Sequence, residues 1–262
     1  MTWVIGLDEK DMTNNIKVVI PARYASTRLP GKPLVDLLGV PMVVRVAQRV
    51  QAALSMADVW VATDDQRILD VVTEAGLQVA MTRAEHESGT DRTAEIAASL
   101  EWPDDSIIIN VQGDEPLIDP QLLQLFAEFC AGQTDFTIAS VMVDVADLGE
   151  VHNANVVKLV TDDDNRALYF SRAGIPFVRD LAADKWPLAL FKRHVGIYAY
   201  RLRELKLLSA TPPCALEQLE KLEQLRALHL GIPIAMMYWQ GELQAGIDSP
   251  EDVERVAGVL QR

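Results

Sequence analysis

The chain has 262 residues, 49% of them hydrophobic, and carries a formal net charge of -14 at pH 7. This length and composition suit one large α/β domain, or a main domain with a smaller lobe, and exclude a disordered chain. Such acidity argues against nucleic acid or an anionic membrane as a partner, because neither is drawn to a negative surface.

Residues 1–15 hold Asp8, Glu9 and Asp11 beside one short apolar patch, Trp3 to Leu7, and read as a flexible N-terminal extension. They match neither a signal peptide nor a membrane span, so a cytoplasmic protein is expected. From residue 16 strands and helices alternate. Strands are predicted at 16–21, 58–63, 77–80 and 106–111, with helices at 41–54, 65–75 and 90–100 between them. A helix at 120–131 and a strand at 135–143 follow. The βαβαβ order implies a doubly wound, mainly parallel sheet. From about 153 to 205 the pattern turns to extended, aromatic-containing segments, Val156 to Val160, Ala167 to Phe170 and His194 to Tyr200. These predict a smaller antiparallel lobe inserted into a single domain of residues 16–262. Leu216 to Leu228 reads as one periodic helix and Ile234 to Tyr238 as a last core strand. Ser249, Pro250 and Asp252 open a final helix as N-cap, N1 and N3 residues. Cys130 and Cys214 have no zinc-type spacing and read as reduced packing thiols.

The most informative segment runs from Ile16 to Asp36. Val18, Val19 and Ile20 form a continuously apolar strand, as befits one covered on both faces, and a ligand crevice opens at the C-terminal end of such a strand. The loop that follows gathers Arg23, Arg28 and Lys32, stiffened by Pro30 and Pro33, with Gly31 permitting close backbone approach. Three cations on one loop of an acidic chain suit a small anion such as a triphosphate.

A second strand, Ile107 to Val111, ends in the acidic turn Gln112-Gly113-Asp114-Glu115-Pro116. Asp114 is placed to hold a divalent metal on a phosphate, since Mg²⁺ needs only one or two protein carboxylates beside phosphate and water. Alternatively it caps the helix at 120–131. Asp248, in Ala245-Gly246-Ile247-Asp248-Ser249-Pro250, repeats the design, or is simply the residue before an N-cap. Two such aspartates and three loop cations together suit phosphoryl or nucleotidyl transfer, where catalysis is mostly positioning and charge neutralisation. Neither a Walker A motif nor a G-x-G-x-x-G turn is present, so a P-loop ATPase and a standard dehydrogenase fit poorly.

Further along, His194 and Tyr198 share a strand face and either line a polyhydroxylated ligand or pack as half-buried aromatics. Ser88-Gly89-Thr90-Asp91-Arg92 offers hydroxyls and N–H groups at a helix N-terminus. His86 reads as loop decoration. On the helix at 216–228 most charges read as a solvated face, while Glu223 and Gln224 are candidates to face inward.

Taken in order, Val19 to Leu34, Val61-Ala62-Thr63-Asp64, Met81-Thr82-Arg83, Ser88-Gly89-Thr90, Asn110 to Pro116, Ala167 to Arg172, Arg193 to Tyr198 and Leu222 to Arg226 resemble the 3-deoxy-manno-octulosonate (Kdo) cytidylyltransferases over nearly the whole chain. The resemblance implies a nucleotide-diphospho-sugar transferase, Rossmann-like fold. It implies that CTP and a 3-deoxy-octulosonate react with Mg²⁺ to give the CMP-sugar and pyrophosphate, for lipopolysaccharide synthesis in a Gram-negative cytoplasm. Arg23 and Lys32 would hold the triphosphate, with Arg28 beside them, and Asp114 and Asp248 would ligate Mg²⁺. Pro21, Ala22, Ser88, Gly89 and Gln112 would contact the nucleotide. Arg172, His194, Tyr198, Glu223 and Gln224 would face the sugar acid. A homodimer is the family expectation.

Three stretches depart from the family pattern: Cys214-Ala215-Leu216-Glu217-Gln218, the approach Leu243 to Ile247 before Asp248, and Asp91 in place of glutamate. Their grouping near the sugar side suggests a modified acceptor, the 8-amino-3,8-dideoxy analogue of Kdo, or drift without change of substrate. A sugar-1-phosphate nucleotidyltransferase and a non-catalytic nucleotide-binding protein are the competing readings; the second should have lost Lys32 or an aspartate.

Overall fold

A computed structural model describes residues 15–26, 29–86, 88–133 and 135–261. In chain order the elements are β1 (Ile16–Ala22), α1 (Met42–Ala53), β2 (Asp58–Thr63), α2 (Gln66–Glu74), β3 (Gln78–Met81), α3 (Gly89–Ser99), β4 (Ile107–Asn110) and α4 (Pro120–Gly132). They continue with β5 (Ile138–Asp144), α5 (Leu148–His152), β6 (Lys158–Thr161), β7 (Ala167–Ser171), β8 (Lys192–Arg201) and α6 (Leu202–Ala210). The last are α7 (Ala215–Glu220), α8 (Gln224–His229), β9 (Ile234–Tyr238) and α9 (Pro250–Leu260). The chain divides into two compact units, Met1–Gly132 with Glu242–Arg262, and Gln133–Gly241. The predicted lobe at 153–205 falls within the second. Among the described residues no helix is long and apolar enough to cross a membrane.

In the first unit β1 lies between β2 and β4, with β3 outside β2, and all four strands are parallel. This is the mainly parallel α/β architecture that the alternating pattern predicted. Val18, Val19 and Ile20 of β1 are fully buried, and all four residues of β4 are buried, because helices cover both faces of a parallel sheet. The register Val18↔Ile109 and Val18↔Val59 brings the C-terminal ends of β1, β2 and β4 to one edge, where the loops that follow can share a ligand. Residues 242–261 return to this unit. Ile247 is fully buried in a cluster with Leu37, Met42, Leu117 and Val256, a burial that contributes roughly 1.5–3 kcal/mol and fixes the residue next to it, Asp248. The predicted Ser249–Asp252 capping box opens α9.

In the second unit β5 pairs in parallel with β9 and antiparallel with β8, and β6 runs antiparallel to both β7 and β8. One predicted helix is two. Lys221 takes a left-handed conformation (φ 55°, ψ 48°) and Leu222 N–H reaches back to Glu217 C=O at 3.3 Å, a Schellman-type stop with lysine where glycine is usual. The break lets Arg226 fold back: its Nε donates to Glu217 Oε2 at 2.8 Å, and its Nη1 to Leu208 C=O at 2.9 Å and Thr211 C=O at 3.0 Å. Glu217 is therefore buried in an ion pair rather than on a solvated face. Lys158 of β6 is also fully buried, its ammonium donating to the carbonyls of Asn153, Val156 and Arg172 at 2.7, 2.5 and 2.7 Å. Burial lowers its pKa.

Candidate active site

In the first unit the loop after β1 turns at Gly31, whose φ of 66° suits glycine, into a short 3₁₀ turn, Lys32–Leu34. Lys32 points its ammonium between two carboxylates, 2.6 Å from Asp114 Oδ2 and 2.8 Å from Asp248 Oδ1. Burial lowers the Lys32 pKa, but attraction and hydrogen bonding to Asp114 and then Asp248 outweigh it, so the ammonium titrates above its ordinary value. Asp114 does not cap the following helix. That task falls to Asp119, whose Oδ1 accepts from Gln121 N–H at 2.7 Å, which leaves Asp114 turned to the lysine. Asp248 is the residue before the N-cap and also reaches Lys32. Its backbone N–H is held by Asp252 Oδ2 at 3.0 Å, and Ile247 N–H by Asp114 C=O at 2.9 Å.

At the end of β1, Gly113 packs against the Pro21 backbone and Gly89 against the Pro21 ring. A Cβ on Gly113 would stand 2.8 Å from the Pro21 carbonyl oxygen, and one on Gly89 3.1 Å from the Pro21 ring. Ser88 is the N-cap of α3, its Oγ accepting from Asp91 N–H at 3.0 Å. The helix is clamped by Arg92, which is buried and donates to Asp64 Oδ2 at 2.9 Å and to Thr82 Oγ1. His86 is more than decoration, since it bonds Glu95 on α3 and ties the loop before Ser88 to that helix. Ala22 is buried, Gln112 half-buried and Arg23 exposed; Arg28 lies outside the described residues.

In the second unit β8 carries a bulge opposite β5. Ser140 faces Tyr198, but the next residue, Val141, faces Val195, so Gly196 and Ile197 are extra. His194 and Tyr198, four apart in sequence, thus oppose Met142 and Ser140 and stand as if two apart on one face. Their rings are 5.2 Å apart, and the His194 ring also meets Phe170 edge-on at 5.1 Å. Burial pulls the His194 pKa down to about 3, so the imidazole is neutral, and burial first, then Tyr200 and Glu223, raises that of Tyr198. Arg172 braces the end of α7, donating to the carbonyls of Glu220 and Lys221 at 2.6 and 3.3 Å, and ties it to the loop after α5 through the Ala154 carbonyl at 2.9 Å. Gln224 is buried, whereas Glu223 is exposed.

A cytidylyltransferase family model matches residues 17–234. The chain is 53% identical over 249 residues to the 3-deoxy-manno-octulosonate cytidylyltransferase 2 of Burkholderia ambifaria (strain MC40-6), covering 94% of this chain and 93% of that protein. The protein of the same name from Paraburkholderia phytofirmans is 50% identical, with 94% of each chain covered. The chain belongs to the Kdo cytidylyltransferase family. The fold agrees: a solved CMP:2-keto-3-deoxy-manno-octonic acid synthetase complexed with CTP superposes with a TM-score of 0.86 at 39% identity, over 94% of this chain and 98% of that one. This cytidylyltransferase is accordingly a nucleotidyltransferase, as the ordered motifs implied.

Three residues of this cytidylyltransferase escaped the sequence reading. Buried Arg92 pairs with part-buried Asp64 inside recognised motifs, and Ser140 is a fully buried hydroxyl in the apolar middle of a strand. The only signal for Ser140 is that a polar residue in a core strand needs a partner.

Proposed function

We propose that this cytidylyltransferase transfers CMP from CTP to the anomeric hydroxyl of a 3-deoxy-octulosonate and releases pyrophosphate. The observation that carries the proposal is Lys32 held between Asp114 and Asp248 at the edge of a parallel sheet. A cation already bridges the two carboxylates, so they form a site for positive charge, and two carboxylates are the protein share that Mg²⁺ commonly takes. Among the described residues no group of three or more such side chains gathers, which a metal completed by phosphate and water does not need. Asp114 and Asp248 would hold Mg²⁺. Bound there, the ion supplies charge neutralisation on the phosphate oxygens and acidifies the attacking hydroxyl.

The protein groups account for the rest. Lys32, released from the carboxylates, pairs with the triphosphate and, with exposed Arg23 and with Arg28, stabilises the charge that builds on the pyrophosphate as its bond to the α-phosphorus breaks. The backbone at Pro21 and Ala22, with Ser88, Gly89 and Gln112, receives the base and ribose. The tight Pro21–Gly113 contact supports this, because a side chain at Gly113 would force these segments apart, and the Pro21 ring also lies close to Gly89. In the second unit His194, Tyr198, Glu223 and Gln224 receive the hydroxyls of the sugar acid. Arg172 uses two N–H donors on the end of α7 and one on Ala154, and its other two bond no described residue, a number that suits one carboxylate.

Two of the stretches that contain departures in sequence also hold the scaffold. Glu217 pairs with Arg226, and Ala245 and Gly246 accept from Arg255 at 3.0 and 2.9 Å. The 8-amino-3,8-dideoxy analogue of Kdo and Kdo itself are the two acceptors proposed. A homodimer is the assembly expected from the family, for which sedimentation is the test. The function is tested by pyrophosphate release from CTP and Mg²⁺ with Kdo, the 8-amino analogue or glucose 1-phosphate. Turnover is expected with a 3-deoxy-octulosonate alone, and turnover with the sugar phosphate would contradict the assignment.

A further inference from the structure

Ser140 occupies the middle of β5 between alanine and valine and is fully buried. Its hydroxyl lies at the β8 bulge, 2.8 Å from His194 Nε2, 2.8 Å from Ile197 C=O and 3.3 Å from Val195 C=O. A serine has one proton to give. The two carbonyls can only accept, so an Oγ that withheld its proton from them would set oxygen lone pairs against each other at 2.8 Å. The proton therefore goes to the carbonyls, chiefly that of Ile197, and Oγ is left as an acceptor. Facing an acceptor, His194 Nε2 must carry a hydrogen. The ring is flanked by Phe170 and Tyr198, and its Nδ1 bonds no described residue.

We propose that Ser140 is a positioning residue that locks His194 as the neutral Nε2–H tautomer, leaving Nδ1 as a fixed hydrogen-bond acceptor for a hydroxyl of the sugar acid. This rests on the proposed reading of His194 as a sugar-facing residue. The physical gain is selectivity between donors and acceptors. A free imidazole can present either nitrogen as donor, but one held in this tautomer presents only a lone pair on its other side. The bulge is part of the device. Without Gly196 and Ile197 as extra residues, the two carbonyls that take up the Ser140 proton would not converge on one hydroxyl.

The test uses the full chain labelled with ¹⁵N, whose four histidines are separated by comparison with His194→Asn. Long-range proton–nitrogen spectra of the wild type should show His194 protonated on Nε2 alone. Saturating sugar acid should then move the Nδ1 resonance and leave Nε2 in place, a readout that needs no variant to fold. Ser140→Ala should pull both nitrogens toward the averaged positions of an unlocked ring and raise KM for the sugar roughly three- to tenfold, as loss of about one hydrogen bond predicts, with KM for CTP unchanged. Ser140→Thr, which keeps the hydroxyl, should restore the tautomer. Protonation at Nδ1 in the wild type, or a Ser140→Ala variant whose sugar KM stays put, would overturn the proposal. So would an equal rise in KM for CTP, the mark of general loosening. If the wild type turned over neither octulosonate, the functional reading would fall and the role of Nδ1 with it, while the spectrum would still report the tautomer separately.

Discussion

Lys32 and Asp114, 82 residues apart in sequence, stand 2.6 Å from each other in the loops that follow two adjacent parallel strands, and Asp248 reaches the same ammonium at 2.8 Å. The lysine thus occupies the place that a divalent cation would share. Lys32→Met should lower kcat by roughly 10²–10³-fold, as loss of a transition-state charge partner does. It should also tighten Mn²⁺ binding to the nucleotide-free protein by about tenfold, because the carboxylates lose their resident cation. Calorimetry on wild type and variant decides; weaker Mn²⁺ binding in the variant would mean that the carboxylates do not form the metal site.

Gly113 is held against backbone, not against a side chain that can move. A Cβ there would meet the Pro21 carbonyl oxygen at 2.8 Å, so Gly113→Ala must push β1 and the acidic turn apart. The expected cost is about 1–3 kcal/mol in urea unfolding, as for other overpacked sites, accompanied by a higher KM for CTP. A variant as stable and as active as wild type would show that the close approach is unimportant.

Asp252 links stability to acid. It accepts from Asp248 N–H, Ser249 N–H and Ser249 Oγ, all at 3.0 Å, and from Arg255 at 3.0 Å. The Asp248 backbone bond first, and the Arg255 bond next, pull its pKa down to about 2. With a folded pKa below the unfolded value of about 3.9, its stabilisation is complete above that value and disappears as pH falls through the folded pKa. The gap in melting temperature between wild type and Asp252→Asn should therefore be constant above pH ~4 and close between pH ~4 and ~2. A gap independent of pH in that window would rule out the linkage.

His194 gives the opposite kind of group, a base held neutral. Its folded pKa of about 3 lies below the unfolded value of about 6.5, so between the two the unfolded chain binds more protons and the fold loses stability as pH falls. Wild type should destabilise more steeply than His194→Asn on acidification from pH ~6.5 toward 3. The sugar KM should show no His194 inflection between pH ~5 and 8, and one there would place the imidazole in a wetter setting.

Much of this was legible in the sequence, for identifiable reasons. The first unit could be read almost element by element because its strands are short continuous apolar runs and its helices carry caps, as at Asp65, Ser88 and Ser249. Lys32 was legible from the cationic loop after β1, Asp114 from the acidic turn after β4 and Asp248 from its place before a helix start, but not as a bonded set, since pairing across 82 and 216 residues depends on the fold. The stop at Lys221 was hidden because lysine is a good helix former and the periodicity runs through it; carbonyls braced by Arg172 support the break. Gly196 inside a strand pattern hints at a bulge, though nothing local shows that Ser140 closes it. Glu217 and Glu223 look alike in sequence, and only the fold-back of Arg226 makes the first buried and leaves the second exposed.

The most direct measurement is formation of a CMP-sugar and pyrophosphate from CTP, Mg²⁺ and Kdo, followed in parallel for wild type and Asp114→Asn. Turnover by the wild type is expected, with CTP required, and its near abolition in the variant although the variant stays folded. Full activity in Asp114→Asn, or no CMP-sugar from the wild type with either Kdo or its 8-amino analogue, would contradict it.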